Sequence, residues 1–153
     1  MKKIAKRILS VLFVLLVSGT AGLYAQSKAS EDEDQKAKAM TPPADKALVY
    51  VYRPSSAGFA VRMEITCDGQ TLGSTKGKRY IYALLDPGQH TLKSKAENTA
   101  ELELSAEGGK TYFVLQKVKM GALMARTDLE LVADEAEARS RFEKCKLSSD
   151  VED

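Results

Sequence analysis

The chain has 153 residues, and its hydrophobic (44%) and charged (29%) fractions are ordinary for a globular protein of one domain. Its 23 basic and 21 acidic side chains nearly balance, which argues against the basic footprint of a nucleic-acid-binding protein. One histidine and two cysteines leave little material for a metal centre or a catalytic triad.

The N-terminus has the pattern of a secretory signal peptide. A basic segment is followed by an apolar run over residues 8–17 and by small residues up to Ala25. We expect cleavage after Ala25, or otherwise after Ala21, and therefore a periplasmic protein that is not inserted in a membrane. Cys67 is the first cysteine, so no lipid-bearing cysteine follows the apolar run. The alternative is an uncleaved N-terminal segment that anchors the protein in the inner membrane.

Removal of residues 1–25 reverses the net charge. That segment holds four of the 23 basic groups and none of the 21 acidic ones, which leaves a net charge of about −2. Residues 26–45 are charged and lack apolar periodicity, so they predict a disordered tether. The acidic run Glu31–Asp34 is interpreted as part of a solvated spacer rather than as a cation site.

The folded domain is predicted over residues 46–148 and is organised around Tyr80–Lys93. This stretch predicts two strands joined by a tight turn at Asp86–Gln89. The segment Ala47–Tyr52 is apolar on both faces, as in a strand that is covered on both sides. Asp68 and Gly69 predict a hairpin after the alternating residues 61–67, in which Val61, Met63, Ile65 and Cys67 point inward.

Further strands are predicted at residues 100–106, at 111–119 and around Leu129 and Leu131. This spacing is typical of an antiparallel β-sandwich of about seven to eight strands, Ig-like or prealbumin-like, in a mainly β protein. One C-terminal helix is predicted, with Asp134 as its cap. Its apolar stripe, formed by Ala138, Phe142 and Cys145, is expected to pack on the sandwich.

The titratable residues predict no catalytic, cofactor-binding or metal site. His90 has no obvious partners in sequence and is interpreted as a packed or hydrogen-bonded residue at the start of a strand. Asp68 and Asp86 lie in turns, where carboxylates accept hydrogen bonds from the backbone. We therefore expect a protein that is not an enzyme.

Cys67 and Cys145 both lie on predicted inward faces, and export places them in an oxidising compartment. A disulfide between them is the favoured prediction, and two buried thiols that never meet are the alternative. The apolar stretch Met120–Met124 leaves two interpretations open. Its side chains either tuck under the sheet, which is the commoner outcome, or form a patch that binds a partner. The candidate patch residues are Phe59, Met120, Leu123 and Met124.

Five segments in order resemble the bacterial envelope family named domain of unknown function 2846. They are Lys46–Arg53, Cys67–Gly73, Asp86–His90, Gly109–Val114 and Met120–Gly121, with sequences KALVYVYR, CDGQTLG, DPGQH, GKTYFV and MG. The turn at Asp86–His90 is also similar to PEGA-type sandwich domains of surface proteins. The resemblance implies an exported β-sandwich of unassigned role and supplies no catalytic residues.

Two classes of function follow as expectations. The first is a non-enzymatic module of the cell envelope that binds a protein or another envelope component. The second is a periplasmic carrier of a small ligand or glycan, which requires the aromatic residues Phe59, Tyr80 and Tyr82 to line one concave face. A flat apolar patch near Met120–Met124 would favour the first class, and an aromatic-lined pocket the second.

Overall fold

The computed structural model describes residues 31–121 and 123–148. The predicted signal peptide and its cleavage site lie outside these residues, as do residues 26–30 of the predicted tether. The described part contains two helices and nine strands. Their bounds are residues 31–38 (α1), Ala47–Arg53 (β1), Met63–Cys67 (β2), Gln70–Thr75 (β3), Arg79–Leu85 (β4), Gly88–Lys95 (β5), Thr99–Ala106 (β6), Thr111–Met120 (β7), Ala125–Leu131 (β8), Glu135–Phe142 (α2) and Lys146–Leu147 (β9).

The strands form two packed sheets. The five-stranded sheet has the order β8-β7-β1-β4-β9, and the four-stranded sheet has the order β3-β2-β5-β6. All neighbours in the four-stranded sheet are antiparallel. In the five-stranded sheet, β1 runs parallel to β7, and β9 runs parallel to β4. The expectation of a mainly β sandwich with a C-terminal helix is confirmed.

A sandwich core lies between the sheets, because the strands alternate inward apolar residues with outward polar ones. In β2, Met63, Ile65 and Cys67 are buried and Glu64 is exposed, as predicted. Val61 was predicted in the same inward row, but it lies before β2 and is 38% exposed. The main sandwich core comprises Ala47, Val49, Val51, Ile65, Cys67, Ile81, Leu92, Ala100, Leu104, Ala106, Val114 and Leu129.

A second core covers the other face of the five-stranded sheet. Tyr50 of β1 stacks on Phe113 of β7 with ring centroids 5.4 Å apart, and Phe142 of α2 lies 4.6 Å from both Tyr50 and Tyr80. Every residue of β1 is buried, since this strand is central and covered on both faces, as its sequence predicts. The helix stripe Ala138, Phe142 and Cys145 is buried here and not against the sandwich core.

The strands β4 and β5 exist as predicted, but they do not form a hairpin. β4 pairs with β1 and β9 in the five-stranded sheet, whereas β5 pairs with β2 and β6 in the four-stranded sheet. The connection at Asp86 and Pro87 therefore crosses from one sheet to the other. By contrast, Asp68 (φ 50°) and Gly69 (φ 82°) form the two-residue hairpin loop that their sequence predicts between β2 and β3.

Residues 31–38 are helical, which corrects the expectation of disorder for that part of the tether predicted over residues 26–45. Ala37 and Asp34 are buried, and the Tyr50 hydroxyl donates to the backbone carbonyl of Ala37. The sequence of this helix shows no apolar periodicity, because its buried residues are only Ala37 and the carboxylate Asp34. Tertiary hydrogen bonds stabilise it instead.

Four buried polar side chains connect the two sheets inside the sandwich. Gln116 of β7 donates to the Ser94 hydroxyl of β5 at 2.7 Å and accepts from the Thr75 hydroxyl of β3. Ser94 also shares a hydrogen bond of 2.9 Å with Thr127 of β8. Because these four side chains hydrogen-bond to one another, their polar atoms are satisfied although they are buried.

Within the described residues, neither helix combines the length and the apolar character that a bilayer crossing requires.

Candidate functional site: an apolar patch at one end of the sandwich

Five large apolar side chains are exposed at one end of β2 and β7. We call this set the apolar patch: Phe59 (60% exposed), Val61 (38%), Met120 (63%), Leu123 (93%) and Met124 (60%). Phe59 and Val61 belong to the loop between β1 and β2, and the others belong to the end of β7 and the loop that follows it. The four residues proposed from the sequence all lie at the surface, so their side chains do not tuck under the sheet.

The two loops are neighbours in space. A methyl group built on Gly58 would lie 3.4 Å from Met120 Sδ and 3.6 Å from Val61 Cγ2, which are ordinary contact distances. Gly58 itself has a φ of +58°, a conformation that favours glycine. The apolar side chains of the two loops therefore form one surface at this point.

Arg53 holds the first loop in place from below. It is fully buried, and its guanidinium donates to the backbone carbonyls of Ala57 (2.7 Å), Gly58 (2.6 Å) and Val61 (2.8 Å). Burial lowers the pKa of Arg53, but a guanidinium remains charged at neutral pH. Its Nε is buried and has no hydrogen-bond partner among the described residues. Because the terminal nitrogens of a buried cation donate to three carbonyls of the loop, they hold its backbone in one defined conformation.

Backbone contacts fix both loops further. The Gly77 N–H donates to the Phe59 carbonyl at 3.1 Å, and a Cβ at Gly77 would approach Phe59 Cδ2 to 2.9 Å. The Gly121 N–H donates to the Met124 carbonyl at 2.8 Å, which closes the second loop. The patch is thus presented on supported backbone, as expected of a surface that binds without large rearrangement.

Basic side chains border the patch. Lys119 and Arg126 face each other across β7 and β8, and both are exposed. Neither forms an ion pair within the described residues. Like charges directly opposite on a sheet are destabilising, so this pair contributes nothing to the stability of the β7–β8 pairing. Glu97 lies near Gly121 and keeps this border from being uniformly positive.

A separate cluster lies at the other end of β2. Asp68 Oδ2 is 2.6 Å from His90 Nδ1 and 3.7 Å from Cys67 Sγ, and Asp68 Oδ1 accepts from the Thr91 N–H at 2.8 Å. His90 Nε2 lies 2.7 Å from the Asp86 carbonyl. Asp68 therefore accepts backbone hydrogen bonds as expected, but it also meets His90 and Cys67. The sequence did not reveal this group, because the pairing of β2 with β5 brings it together.

The hydrogen bonds of this cluster explain its pKa shifts. Both nitrogens of His90 face acceptors, Asp68 first and then the Asp86 carbonyl, so the pKa of His90 is raised. The pKa of Asp68 is lowered by the Thr91 N–H and by His90. Burial, together with the charge of Asp68, raises the pKa of Cys67 to about 11. The thiol is therefore protonated at neutral pH and is a poor nucleophile.

The predicted disulfide is not formed. Cys67 and Cys145 are both buried, free thiols, and they lie in different cores: Cys67 between the sheets and Cys145 beneath α2. The prediction failed because α2 packs on the outer face of the five-stranded sheet. That sheet separates the two sulfurs.

The aromatic residues of the ligand-carrier interpretation do not share a concave face. Phe59 is in the apolar patch, Tyr80 is fully buried, and only Tyr82 lines a groove, with a volume of about 630 Å³, between α1 and β4. The other apolar residues of this groove include Met40, Leu72 and Leu84.

Two comparisons with known proteins bear on identity. An uncharacterized protein of Haemophilus influenzae is 28% identical over 109 residues. That alignment covers 70% of this chain and 65% of the relative, so it leaves about a third of the relative unmatched. The second comparison is with a protein family, and its match over residues 43–128 includes β1 to β7 and all five residues of the apolar patch. Since this match spans more than half of the chain, the protein belongs to the family described as "Protein of unknown function (DUF2846)".

Proposed function

We propose that this protein is an exported, non-enzymatic β-sandwich module of the bacterial cell envelope that binds a protein through the apolar patch. One observation carries the proposal: five large apolar side chains are exposed together on supported loops. Leu123, which is 93% exposed, is the extreme case. Exposed apolar side chains that cluster in this way are typical of interaction sites, whereas single ones are not.

The chemistry of the described residues favours binding over catalysis. His90 is the only histidine, and both of its ring nitrogens are occupied by Asp68 and by the Asp86 carbonyl. Its Nε2, the nitrogen that a carboxylate-paired histidine uses as a general base, faces the Asp86 carbonyl and not an open site. The neighbouring Cys67 thiol has a raised pKa, so it lacks the thiolate character of a catalytic cysteine.

Two features support the envelope location and the kind of partner. The basic and apolar pattern at the N-terminus supports export. The cations Lys119 and Arg126 beside the patch favour a partner surface that combines apolar side chains with acidic ones. Methionine side chains adapt to such surfaces, because they are unbranched and polarizable.

Site-specific photo-crosslinking in intact cells tests this function. A photo-reactive residue at position 123 should give a discrete crosslinked protein band, and one at the exposed position 101 on β6 should not. The double substitution Leu123→Ser with Met124→Ser should abolish capture of that protein by the purified chain. Leu84→Ser removes an exposed leucine from β4, away from the patch, and should leave capture unchanged. Equal capture by all variants would contradict the proposal.

The groove beside Tyr82 supports a second candidate function, a carrier of a small apolar ligand. Its volume of about 630 Å³ is within the range of ligand sites, and Met40, Leu72 and Leu84 supply apolar walls. In that case Leu84→Ser should lower the binding of an extracted envelope lipid. The Leu123 variant should then bind it normally.

A further inference from the structure

We propose that Cys67, Asp68 and His90 bind a zinc ion at the end of β2 that is remote from the apolar patch. Their potential ligand atoms, one from each residue, all lie within 4.8 Å of one another. The sequence predicted no metal site, because the three residues are not arranged in a recognised motif. The proposal is independent of the binding function assigned to the patch, since the two sites lie at opposite ends of a five-residue strand.

The backbone already holds the three residues together. Cys67 is the last residue of β2 and pairs with Leu92 of β5, while the Asp68 N–H donates to the Thr91 carbonyl at 3.0 Å. Asp68 and its hairpin loop are thereby fixed against the strand that carries His90. Little chain entropy remains to be lost when an ion binds, which favours affinity.

Each ring or carboxylate has a second partner that orients it. His90 Nε2 lies 2.7 Å from the Asp86 carbonyl, so Nδ1 is the nitrogen left to face Asp68 and Cys67. Metal-binding histidines usually donate their other N–H to a carbonyl or carboxylate in this way. Asp68 Oδ1 accepts from the Thr91 N–H, which leaves Oδ2 for the ion. The Asp86 carbonyl and the Thr91 N–H thus orient the two side chains before an ion binds.

The two distances to Asp68 Oδ2 are within about 0.7 Å of those in a tetrahedral site. Zinc binds nitrogen, oxygen and sulfur at about 2.0–2.3 Å, so tetrahedral ligands stand about 3.3–3.7 Å apart. The Cys67 Sγ to Asp68 Oδ2 distance of 3.7 Å fits this range. The Asp68 Oδ2 to His90 Nδ1 distance of 2.6 Å is that of a hydrogen bond, and the ion would widen it by about 0.7 Å.

The ligand set selects zinc over calcium or magnesium. Sulfur and imidazole nitrogen suit zinc, whereas calcium and magnesium prefer oxygen. On binding, the Cys67 thiol proton and the proton on His90 Nδ1 would leave to solvent. Three metal–ligand bonds would form, to Cys67 Sγ, His90 Nδ1 and Asp68 Oδ2, and the hydrated ion would release water in exchange. One thiolate and one carboxylate then balance both charges of Zn²⁺. No oxidant or reductant is needed.

Access to the site is from the side of Asp68. Its side chain is 49% exposed, that of His90 is 13% exposed, and Cys67 is buried. An ion would thus have protein on the inner side and solvent at a fourth position, where a water or a ligand from another molecule completes the tetrahedron.

Cobalt and zinc titrations of the reduced protein, purified without a histidine tag, test the site. Co²⁺ should produce a thiolate-to-metal charge-transfer band at one equivalent, and Zn²⁺ should displace it. Cys67→Ser should remove the band, while Asp68→Asn and His90→Gln should weaken zinc affinity by at least about 100-fold, since even outer partners of a metal site contribute 10–100-fold. Circular dichroism of each variant establishes that it is folded.

Cys145→Ser is the matched control, because Cys145 is also a buried free thiol but lies in the other core. It should retain the band and the zinc affinity. The proposal is overturned if the wild-type protein gives no charge-transfer band, or if the band persists in folded Cys67→Ser. It also fails if the band depends on Cys145, or if folded His90→Gln binds zinc as the wild type does.

Discussion

The backbone N–H of Leu147 donates a hydrogen bond of 2.7 Å to Asp34 Oδ1, across 113 residues of sequence. The contact joins α1 to β9, at the edge of the five-stranded sheet. Lys38 on the same helix lies 3.2 Å from the other carboxylate oxygen of Asp34. A single buried carboxylate thus ties the first described helix to the last strand.

Replacing Asp34 by alanine should therefore destabilise the fold. The Leu147 N–H loses its partner, and a hydrogen bond to a charged group contributes about 1.5–3 kcal/mol. We expect the free energy of unfolding, measured by urea denaturation, to fall by about 2 kcal/mol. Asp32→Ala, on the exposed side of α1, is the control and should change it by less than about 0.5 kcal/mol. Equal effects of the two substitutions would show that α1 is not tied through Asp34.

The same carboxylate should make stability depend on pH. Burial raises the pKa of Asp34, but the Leu147 N–H and Lys38 outweigh it and hold the pKa below its ordinary value. A group whose pKa is lowered on folding contributes stability above its unfolded pKa of about 3.9, and that contribution is lost as pH falls through the folded pKa. The stability advantage of wild type over Asp34→Asn should thus be constant near pH 7 and shrink below about pH 4. Urea unfolding at a series of pH values measures it, and an advantage that grows on acidification would contradict the assignment.

Arg53 gives a prediction about the apolar patch. Arg53→Met keeps an apolar stem but removes the donors to the carbonyls of Ala57, Gly58 and Val61. We expect a loss of about 2–4 kcal/mol, since three hydrogen bonds from a buried charged group are removed, and faster amide exchange in residues 57–61. Lys95→Met, at an exposed cation on β5, should change neither quantity. Unchanged exchange in the loop, measured by mass spectrometry, would show that Arg53 does not support it.

Local patterns predicted the local structure well. The alternation of β2 and the Asp68-Gly69 loop each depend on neighbouring residues, and both are confirmed. The capping of α2 is confirmed as well, since the Asp134 side chain accepts from the Glu137 N–H at 3.0 Å. The exposed patch was one of two interpretations left open, because a short apolar loop has the same sequence whether its side chains turn inward or outward.

Local sequence patterns could not predict which distant strands pair with each other. The turn at Asp86 and Pro87 has the same composition whether its strands pair or enter different sheets. The cluster of Cys67, Asp68 and His90 depends on the register of β2 with β5, which places Cys67 opposite Leu92 and so brings Asp68 near His90. Helix α1 has too few apolar residues for its sequence to reveal the contact made by Asp34.

The two cysteines provide the last prediction, which reverses the one drawn from sequence. Cys67 and Cys145 lie on opposite sides of the five-stranded sheet, so a bridge between them would require that sheet to open. Burial raises the pKa of each thiol to about 11, which keeps both protonated and slow to oxidise. Protein purified without reductant should therefore show two thiols per chain when titrated in denaturant. Its melting temperature should be the same with and without a reducing agent, because no covalent cross-link contributes to stability.

Cys145→Ala should lower that melting temperature, because packing against Phe142 and its neighbours is lost. The decrease should be the same with and without a reducing agent. A reductant-dependent melting temperature in wild type that disappears in both Cys67→Ala and Cys145→Ala would establish the bridge and refute the separation of the two sulfurs.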